Sequence, residues 1–331
     1  ANTAWAFATL GTPAPQLFEA IARESEQCLG SFKPQGLVNT AWAASSASAA
    51  SSRKLFEAIA RESEQRISSF NPQELANTAW AFATLCAPLL LLLFEAIARE
   101  SEQHIGSFEP QNLANTAWAF AIVGTADRGA LVKVHSARAA EMGLAAFIGE
   151  QWRQLHQYFL GVELEACLPA ELLAPIGLRD ACRQAMADEK PARSSKLHED
   201  VSNVLTRIGI AHANELCVAT RAREALRAAI ASHVGIVLEV DCPSHYDDER
   251  RLLSALEMIR RHLWLPGWAV LGVPYWEWYA LKGHAQKAAY LAISLRMLQD
   301  QSPTILATCS NWKRCLLAIN IATNLAFISN V

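Results

Sequence analysis

The sequence predicts an α-solenoid of helical-hairpin repeats followed by a small α/β domain, and three observations carry that prediction. Asn-Thr-Ala-Trp-Ala occurs four times, starting at Asn2, Asn39, Asn77 and Asn115. The block Leu-Phe-Glu-Ala-Ile-Ala-Arg-Glu-Ser-Glu-Gln occurs three times unchanged, at Leu17, Leu55 and Leu93, with periods of 55 − 17 = 38 and 93 − 55 = 38 residues. Nearer the C-terminus the pattern changes to strand, helix, strand, helix. A fixed period of this length marks an array of stacked helical hairpins. The later alternation of strands and helices marks an α/β unit.

Each repeat reads as two helices. In the central unit the first runs from Leu55 to about Ser68, with Leu55, Ile59 and Ile67 on one apolar side. Glu57 stands four residues before Arg61 as a surface pair. The second helix starts at Pro72, with Asn71 as N-cap, proline at the first helical position and Glu74 placed to close a capping box. Its expected buried stripe is Leu75, Ala79 and Phe82, with Trp80 beside it. The alanines around Trp80 allow neighbouring helices to approach closely, and Trp42, Trp80 and Trp118 are expected in the core. One hairpin cannot bury its own apolar face, so the units must stack.

Where the units differ, they differ together: Cys28, Arg66 and His104; Lys33, Asn71 and Glu109; Gly36, Glu74 and Asn112. All lie at the turn between the two helices. Capping alone does not explain them, since Lys33 and Glu109 are poor caps. Helical repeats that read one RNA base each place their readers at equivalent positions in every unit. Lys33, Arg66, Asn71, His104 and Asn112 are therefore candidate RNA contacts, against the alternative of drift among solvated turn residues after a recent duplication. Between units, Ala43 to Ser52 is a low-complexity stretch where looser stacking is expected.

The repeats occupy residues 1–126, about three and a half units, and the chain opens inside one at Ala1 without an initiator Met, as a fragment of a longer protein would. After Gly124 the sequence periodicity stops, and 127–195 reads as a helical connector ending in the polar linker Pro191 to Ser195. Within it, residues 139–166 look helical. The last region, 196–300, opens with an apolar helical face of Leu197, Val201, Val204, Leu205 and Ile208. A strand is expected over Val234 to Asp241, a helix over Asp247 to Leu263, a strand over Trp268 to Val273 and a helix over Ala285 to Leu298. Residues 301–331 are an apolar tail.

Charge and cysteine usage narrow the function classes. The chain of 331 residues carries 29 basic and 32 acidic side chains, a net charge of −3. The repeat region alone has 7 Lys and Arg against 11 Asp and Glu, or −4. Phosphate contacts need local cations, so nucleic-acid affinity must come from local sites and not from a broad basic surface. The acidic array also suits a protein partner. The 8 cysteines are scattered, which suggests reduced, mostly buried thiols. Neither Leu89 to Leu93 nor the Asn-interrupted Cys315 to Val331 is a continuous bilayer span, so no membrane association is expected.

The C-terminal motifs resemble a known family. Val-Leu-Glu-Val-Asp-Cys-Pro-Ser-His-Tyr at 237–246, Gly-Trp-Ala-Val-Leu-Gly-Val-Pro-Tyr-Trp-Glu-Trp at 267–278, and Leu281-Lys282-Gly283 with Lys287, Tyr290 and Leu291 closely resemble the RAP domain. Upstream, Gln154 to Phe159 and the Leu197 helix look like the segment that precedes it. The 38-residue hairpins resemble octotricopeptide repeats, which accompany RAP domains in organelle RNA factors. The resemblance implies a restriction-endonuclease-like α/β core. It also implies binding to RNA, single-stranded by expectation, in transcript processing, stability or translation within a chloroplast or mitochondrion.

Two sets of candidate residues follow in the RAP-like region. Glu239 and Asp241, two apart on a strand, share a face, and His245 lies just beyond the strand end. Clustered carboxylates of this kind hold Mg²⁺ in metal nucleases, so these three are the catalytic candidates, and Glu239 and Asp241 the metal ligands, of an endonuclease alternative. No other cofactor is implied. Two departures weaken that alternative: Cys242 replaces the family's usual Gly, and Arg221 to Ala231 reads as a helix without the acidic residue such nucleases carry there. For RNA contact, Tyr275, Trp276 and Trp278 stand beside Lys282 and Lys287, offering stacking faces and cations. Arg260 and Arg261 belong to the strongest local positive cluster. Packing of the aromatics in the core and solvation of the basic helix face are the alternatives.

Overall fold

The structure is a computed structural model that describes residues 2–10, 14–46, 52–84, 91–124, 129–165, 174–187, 195–219, 225–232, 236–247, 250–265 and 268–300. The tail expected at 301–331 lies outside the described residues. Two compact units divide the chain: one holds the residues up to Asp188 with Asp247–Met258, and the other holds Glu189–Tyr246 with the residues from Ile259 onward.

The first unit is a two-layered stack of helices. One layer contains α2 (Pro15–Cys28), α4 (Ser52–Arg66), α6 (Leu91–His104) and α8 (Gly129–Met142), and the other contains α1 (Asn2–Thr9), α3 (Pro34–Ser46), α5 (Pro72–Ala83), α7 (Pro110–Val123) and α9 (Gly149–Glu165). Within each layer a helix packs on its counterpart in the next unit, and α10 (Ile176–Ala187) packs on α9. A single 3-10 turn joins the helices of each hairpin, at Leu29–Ser31, Ile67–Ser69, Ile105–Ser107 and Leu144–Ala146. A phenylalanine follows every turn: Phe32, Phe70, Phe108 and Phe147.

Alanine sets the packing of the second layer. Ala41, Ala79 and Ala117 of the repeated motif are essentially inaccessible, as are Ala43, Ala81 and Ala119 two positions on. The motif's threonine is buried as well, and Thr40 and Thr78 donate their hydroxyls to the carbonyls of Gly36 and Glu74 one turn back. Between layers, Phe56 meets Phe82 edge-on with centroids 5.7 Å apart, and Phe94 meets Phe120 in the same way at 5.4 Å. Such edge-to-face pairs are worth about 0.5–1.5 kcal/mol beyond the area they bury. The capping box expected at Asn71 is present: its Oδ1 accepts from the Glu74 amide at 2.9 Å, and Glu74 Oε2 accepts from the Asn71 amide at 2.9 Å. Glu109, at the matching position of α7, makes no side-chain cap.

The hairpin architecture outlasts the sequence repeat. The helical stretch read at residues 139–166 is divided between two helices, because α8 ends at Met142 and α9 begins at Gly149. Gly143 takes φ +76°, a conformation favourable to glycine, and it breaks the helix there. Phe147 lies 147 − 108 = 39 residues after Phe108, so α8 and α9 form a further hairpin with one extra residue. Gln154 and Gln157 stand 39 residues beyond Asn115 and Trp118.

In the second unit, a four-stranded sheet runs in the order β1 (His212–Ala219), β2 (Ala225–Ser232), β3 (Ile236–Asp241), β4 (Ala269–Pro274). The first three strands are antiparallel, and β3 and β4 are parallel, with Glu239 paired to Gly272 and Asp241 to Pro274. The stretch read as a helix at Arg221 to Ala231 is instead largely strand β2. Alanine has the highest helix propensity, but propensity is overridden here by hydrogen bonding to neighbouring strands on both sides. The expected helix over Asp247 to Leu263 starts later, as α12 (Ser254–Trp264), and α13 (Tyr275–Ala280) is an additional short helix before α14 (Gly283–Asp300). Leu197, Val201, Val204 and Leu205 of α11 (Lys196–Arg207) pack against β3, β4, Trp278 and the apolar side of α14, as their spacing predicts.

One buried group makes the first unit sensitive to acid. His135 on α8 is fully enclosed, neither ring nitrogen has a hydrogen-bond partner among the described residues, and its ring lies 5.7 Å from Tyr158. Burial lowers its pKa from 6.5 to about 3, because the core does not solvate an imidazolium. A depressed histidine pKa means the unfolded chain takes up the proton first. The associated stability is complete above pH 6.5 and is lost as pH falls toward 3. Linkage puts the loss on the order of 4–5 kcal/mol across that window. Denaturant melts at pH 7.5 and at pH 4.5 will show the difference, and His135→Leu will flatten it.

Candidate functional site

Two places concentrate polar and aromatic side chains, one in each unit. In the solenoid, the repeated motif divides its residues between packing and exposure. Threonine and both alanines face inward, whereas Asn39, Asn77 and Asn115, with Trp42, Trp80 and Trp118, are half-buried. The asparagines, Trp42 and Trp80 line a cleft of about 290 Å³ on the second-helix layer, joined by Gln111, Glu150 and Gln154. The expectation that the tryptophans belong to the core is thus corrected. Three and four residues separate side chains on one helical face, so packing by Ala79 and Leu75 leaves Asn77 and Trp80 on the opposite side. Trp80 and Trp118 stack, with centroids 6.1 Å apart and planes 24° from parallel.

An amide network crosses from unit to unit along this face. Gln111 Nε2 donates to Asn115 Oδ1 at 2.7 Å, and Gln154 Nε2 donates to the same oxygen at 3.2 Å. Gln151 Nε2 donates to Gln111 Oε1 at 2.9 Å, and Trp118 Nε1 donates to Gln157 Oε1 at 2.8 Å. Gln154 is 7% exposed, and its Oε1 is buried with no partner among the described residues. Sequence reasoning missed this face because it looked for variation between units, whereas the signal was polar and aromatic identity at every second helix.

The turn positions that vary are solvent-facing and partly engaged. Lys33 is exposed at the start of α3. Arg66 pairs with Glu62 at 3.1 Å, and His104 Nε2 lies 3.7 Å from Glu100. Asn71 is committed to its capping box, and Asn112 is half-buried at the start of α7.

In the second unit the strand-end carboxylates are held by a guanidinium. Asp241 is 2% exposed, and its Oδ2 accepts from Arg260 Nη2 and, at 2.9 Å, from the Tyr246 hydroxyl. His245 Nδ1 lies 3.5 Å from the other oxygen. Burial disfavours a charged Arg260, but the charges of Asp241 and Glu239 outweigh it and raise its pKa. Burial also pushes the Tyr246 hydroxyl upward, and Asp241 beside it adds to the shift, so Tyr246 stays a hydrogen-bond donor. Gly272 on β4 provides the space, since a Cβ there would stand 2.8 Å from Arg260 Nη2. Arg260 is thus the cation paired with Asp241, and Glu239 also stabilises its charge. Among the described residues no group of three or more His, Cys, Asp or Glu side chains is arranged to hold a metal ion.

The other candidates divide by burial. Trp278 lies wholly in the core, with Nε1 donating to Asp200 Oδ2 at 2.8 Å. Lys287 donates to the same oxygen at 2.5 Å and stands 5.2 Å over the Trp278 ring. These contacts hold Asp200 below its usual pKa against the opposing effect of burial. Trp278, Lys287 and Arg260 therefore act inside the fold. Tyr275 and Trp276 are half-buried and cluster with Tyr246, at 6.3 and 4.5 Å. Lys282 is exposed just after α13, and Arg261 is half-buried on α12. Among these candidates Trp276, Tyr275 and Lys282 are thus the accessible aromatic and basic groups, with Tyr279 exposed beside them on α13.

Residues 238–292 match the RAP domain family, and 50–78 and 91–116 match a family described as a protein of unknown function, DUF1601. No curated protein matches the chain. The chain therefore carries a RAP domain, a class that binds RNA, behind an array of helical hairpins. Among the described residues no helix is long and apolar enough to cross a membrane.

Breaking the buried ion pair will unfold more than it exposes. Asp241→Asn leaves a buried guanidinium short of its partner, at a cost of about 3–5 kcal/mol. Replacing both partners, as Asp241→Leu with Arg260→Met, will recover most of that loss in urea titrations. Gly272→Ala will cost about 1–3 kcal/mol by crowding the guanidinium.

Proposed function

We propose that the protein binds single-stranded RNA and acts on organelle transcripts, in their processing, stability or translation. The observation that carries this reading is the RAP match over a folded α/β unit in a chain that also holds a helical-repeat array. In the RAP unit, Trp276 and Tyr275 supply stacking faces, and Lys282 supplies a cation for phosphate. The solenoid adds contacts along its hairpins, with Lys33 and Arg66 at the turn edge supplying local positive charge to an otherwise acidic array and His104 a polar ring beside them. The pairing of Arg260 with Asp241 favours a reading of binding over metal-dependent cleavage.

Gel shifts with a mixed-sequence single-stranded RNA, titrated with salt, test the reading. A shift at low salt that weakens as salt rises is expected, with the RNA intact after incubation with Mg²⁺. Trp276→Ala will weaken binding by about 1–3 kcal/mol, the usual contribution of one stacked base. No shift from a folded sample at low salt overturns the proposal. Imaging a fluorescent fusion of the complete coding sequence tests the organelle assignment, and a signal confined to the cytosol or nucleus rejects it.

A further inference from the structure

The last hairpin of the solenoid shows which chemistry satisfies the repeated face. Trp118 Nε1 donates to Gln157 Oε1 at 2.8 Å, and Asn115 Oδ1 accepts from Gln154 Nε2 at 3.2 Å. Both partners are carboxamides of α9, one an acceptor for the indole and the other a donor to the asparagine. One unit earlier the same residue types lack such partners. Trp80 Nε1 has no acceptor, and the side chains of Asn77 and Asn39 make no hydrogen bond, among the described residues. The sequence explains the difference. The residue 38 positions beyond Trp80 is Trp118, whose indole can only donate, whereas the residue 39 positions beyond Trp118 is a glutamine. Asn39, Asn77 and Trp80 all line the cleft, so these half-buried groups stand open on it. Among the lining residues the only charge is Glu150, which is exposed and has no ion-pair partner among the described residues.

We propose that this cleft binds an extended, basic segment of a partner protein, held through its main chain by Asn39, Asn77 and Trp80 and oriented by Glu150. A peptide main chain repeats the groups that the α9 glutamines supply, a carbonyl that accepts and an N–H that donates. Packed helices lie about 8–10 Å apart, the length of about three residues of extended chain, so one strand crossing the layer passes each unit in turn. Main-chain contacts of this kind give affinity, and the side chains beside them give selectivity. Here charge sets the selectivity. The repeat region carries 7 basic against 11 acidic side chains, and the cleft adds the unpaired carboxylate of Glu150 without any cation. Such a field opposes a phosphate backbone and favours lysine or arginine. The stacked indoles of Trp80 and Trp118 offer ring faces on which those cations rest. This surface is distinct from the turn edge assigned to RNA, and the inference does not depend on the RNA reading.

Fluorescence anisotropy at low salt tests the assignment with a labelled peptide of alternating Lys and Val, of about ten residues to span three units. Its controls are the same peptide N-methylated at every valine, which removes main-chain donors, and a peptide of alternating Glu and Val. The full chain will bind the Lys-Val peptide about tenfold or more tighter than either control, the scale of two main-chain hydrogen bonds. Asn39→Ala with Asn77→Ala will lose a similar factor, and Trp80→Phe, which keeps a ring and removes the N–H, will weaken binding severalfold. Glu150→Gln, at an exposed position, will keep a wild-type circular-dichroism melt and narrow the gap between the basic and acidic peptides. No binding of the Lys-Val peptide, equal affinity for the three peptides, or a preference unchanged in folded variants overturns the inference. A mixed-sequence single-stranded RNA that displaces the peptide, and whose own affinity falls in the asparagine variant, gives the cleft to RNA and overturns it as well. Peptide binding by a protein that shifts no RNA upholds this inference and overturns the RNA reading alone.

Discussion

Close approach of alanine-faced helices is the constraint on which the solenoid depends. A helix whose inward positions are Ala79, Ala81 and Ala83 offers little apolar area of its own. It gains stability when a neighbouring helix comes near enough for those small side chains to interlock. The layer is thus held in register by identity: each copy of the motif meets the next at equivalent residues. Larger groups are displaced to the interface between layers, where Phe82 and Phe120 meet Phe56 and Phe94. Whatever points the other way from those alanines is carried in register too. That is why asparagines and tryptophans separated by 38 residues in sequence come to line a single cleft.

In the RAP domain the corresponding constraint is electrostatic. Asp241 ends a buried parallel strand, where an isolated carboxylate would be costly. Arg260 from α12 and the hydroxyl of Tyr246 satisfy its Oδ2, and the absence of a Cβ at Gly272 gives the guanidinium room. The strand end, the turn just beyond it and α12 are therefore tied at one carboxylate. The same arrangement governs what the surface can offer, because Tyr246, held in place through Asp241, is the ring against which Tyr275 and Trp276 pack. Asp241 thus acts as a structural anchor that positions aromatic side chains.

Much of this was legible in the sequence, and the failures have physical causes. The 38-residue period revealed the hairpins, and Asn71 with Glu74 announced its capping box, because capping depends on neighbours only a few residues away. The apolar spacing of α11 likewise placed Leu197, Val201, Val204 and Leu205 in the core. The hairpin of α8 and α9 stayed hidden because its glutamines and single-residue insertion preserve geometry without preserving identity. Strand β2 was read as a helix because local propensity cannot register hydrogen bonds to β1 and β3. The pairing of Asp241 with Arg260 was not legible because the two lie on different elements.

The treatment of tryptophan joins these points. A large apolar residue repeated at a fixed interval is ordinarily read as core, since burial of such a side chain is the largest single gain available to a repeat. Here the interior is filled by alanine, leucine, isoleucine and phenylalanine, and the indoles lie at its margin. Trp80 and Trp118 recover part of the gain by stacking on each other, and Trp118 directs its N–H to Gln157. They remain only partly covered, beside asparagines that have amide groups to spare. Trp278 in the RAP domain shows the contrasting outcome, a fully buried indole whose N–H is satisfied by Asp200. The same residue type serves as core in one unit and as surface in the other, and the difference is set by what else fills the neighbouring space.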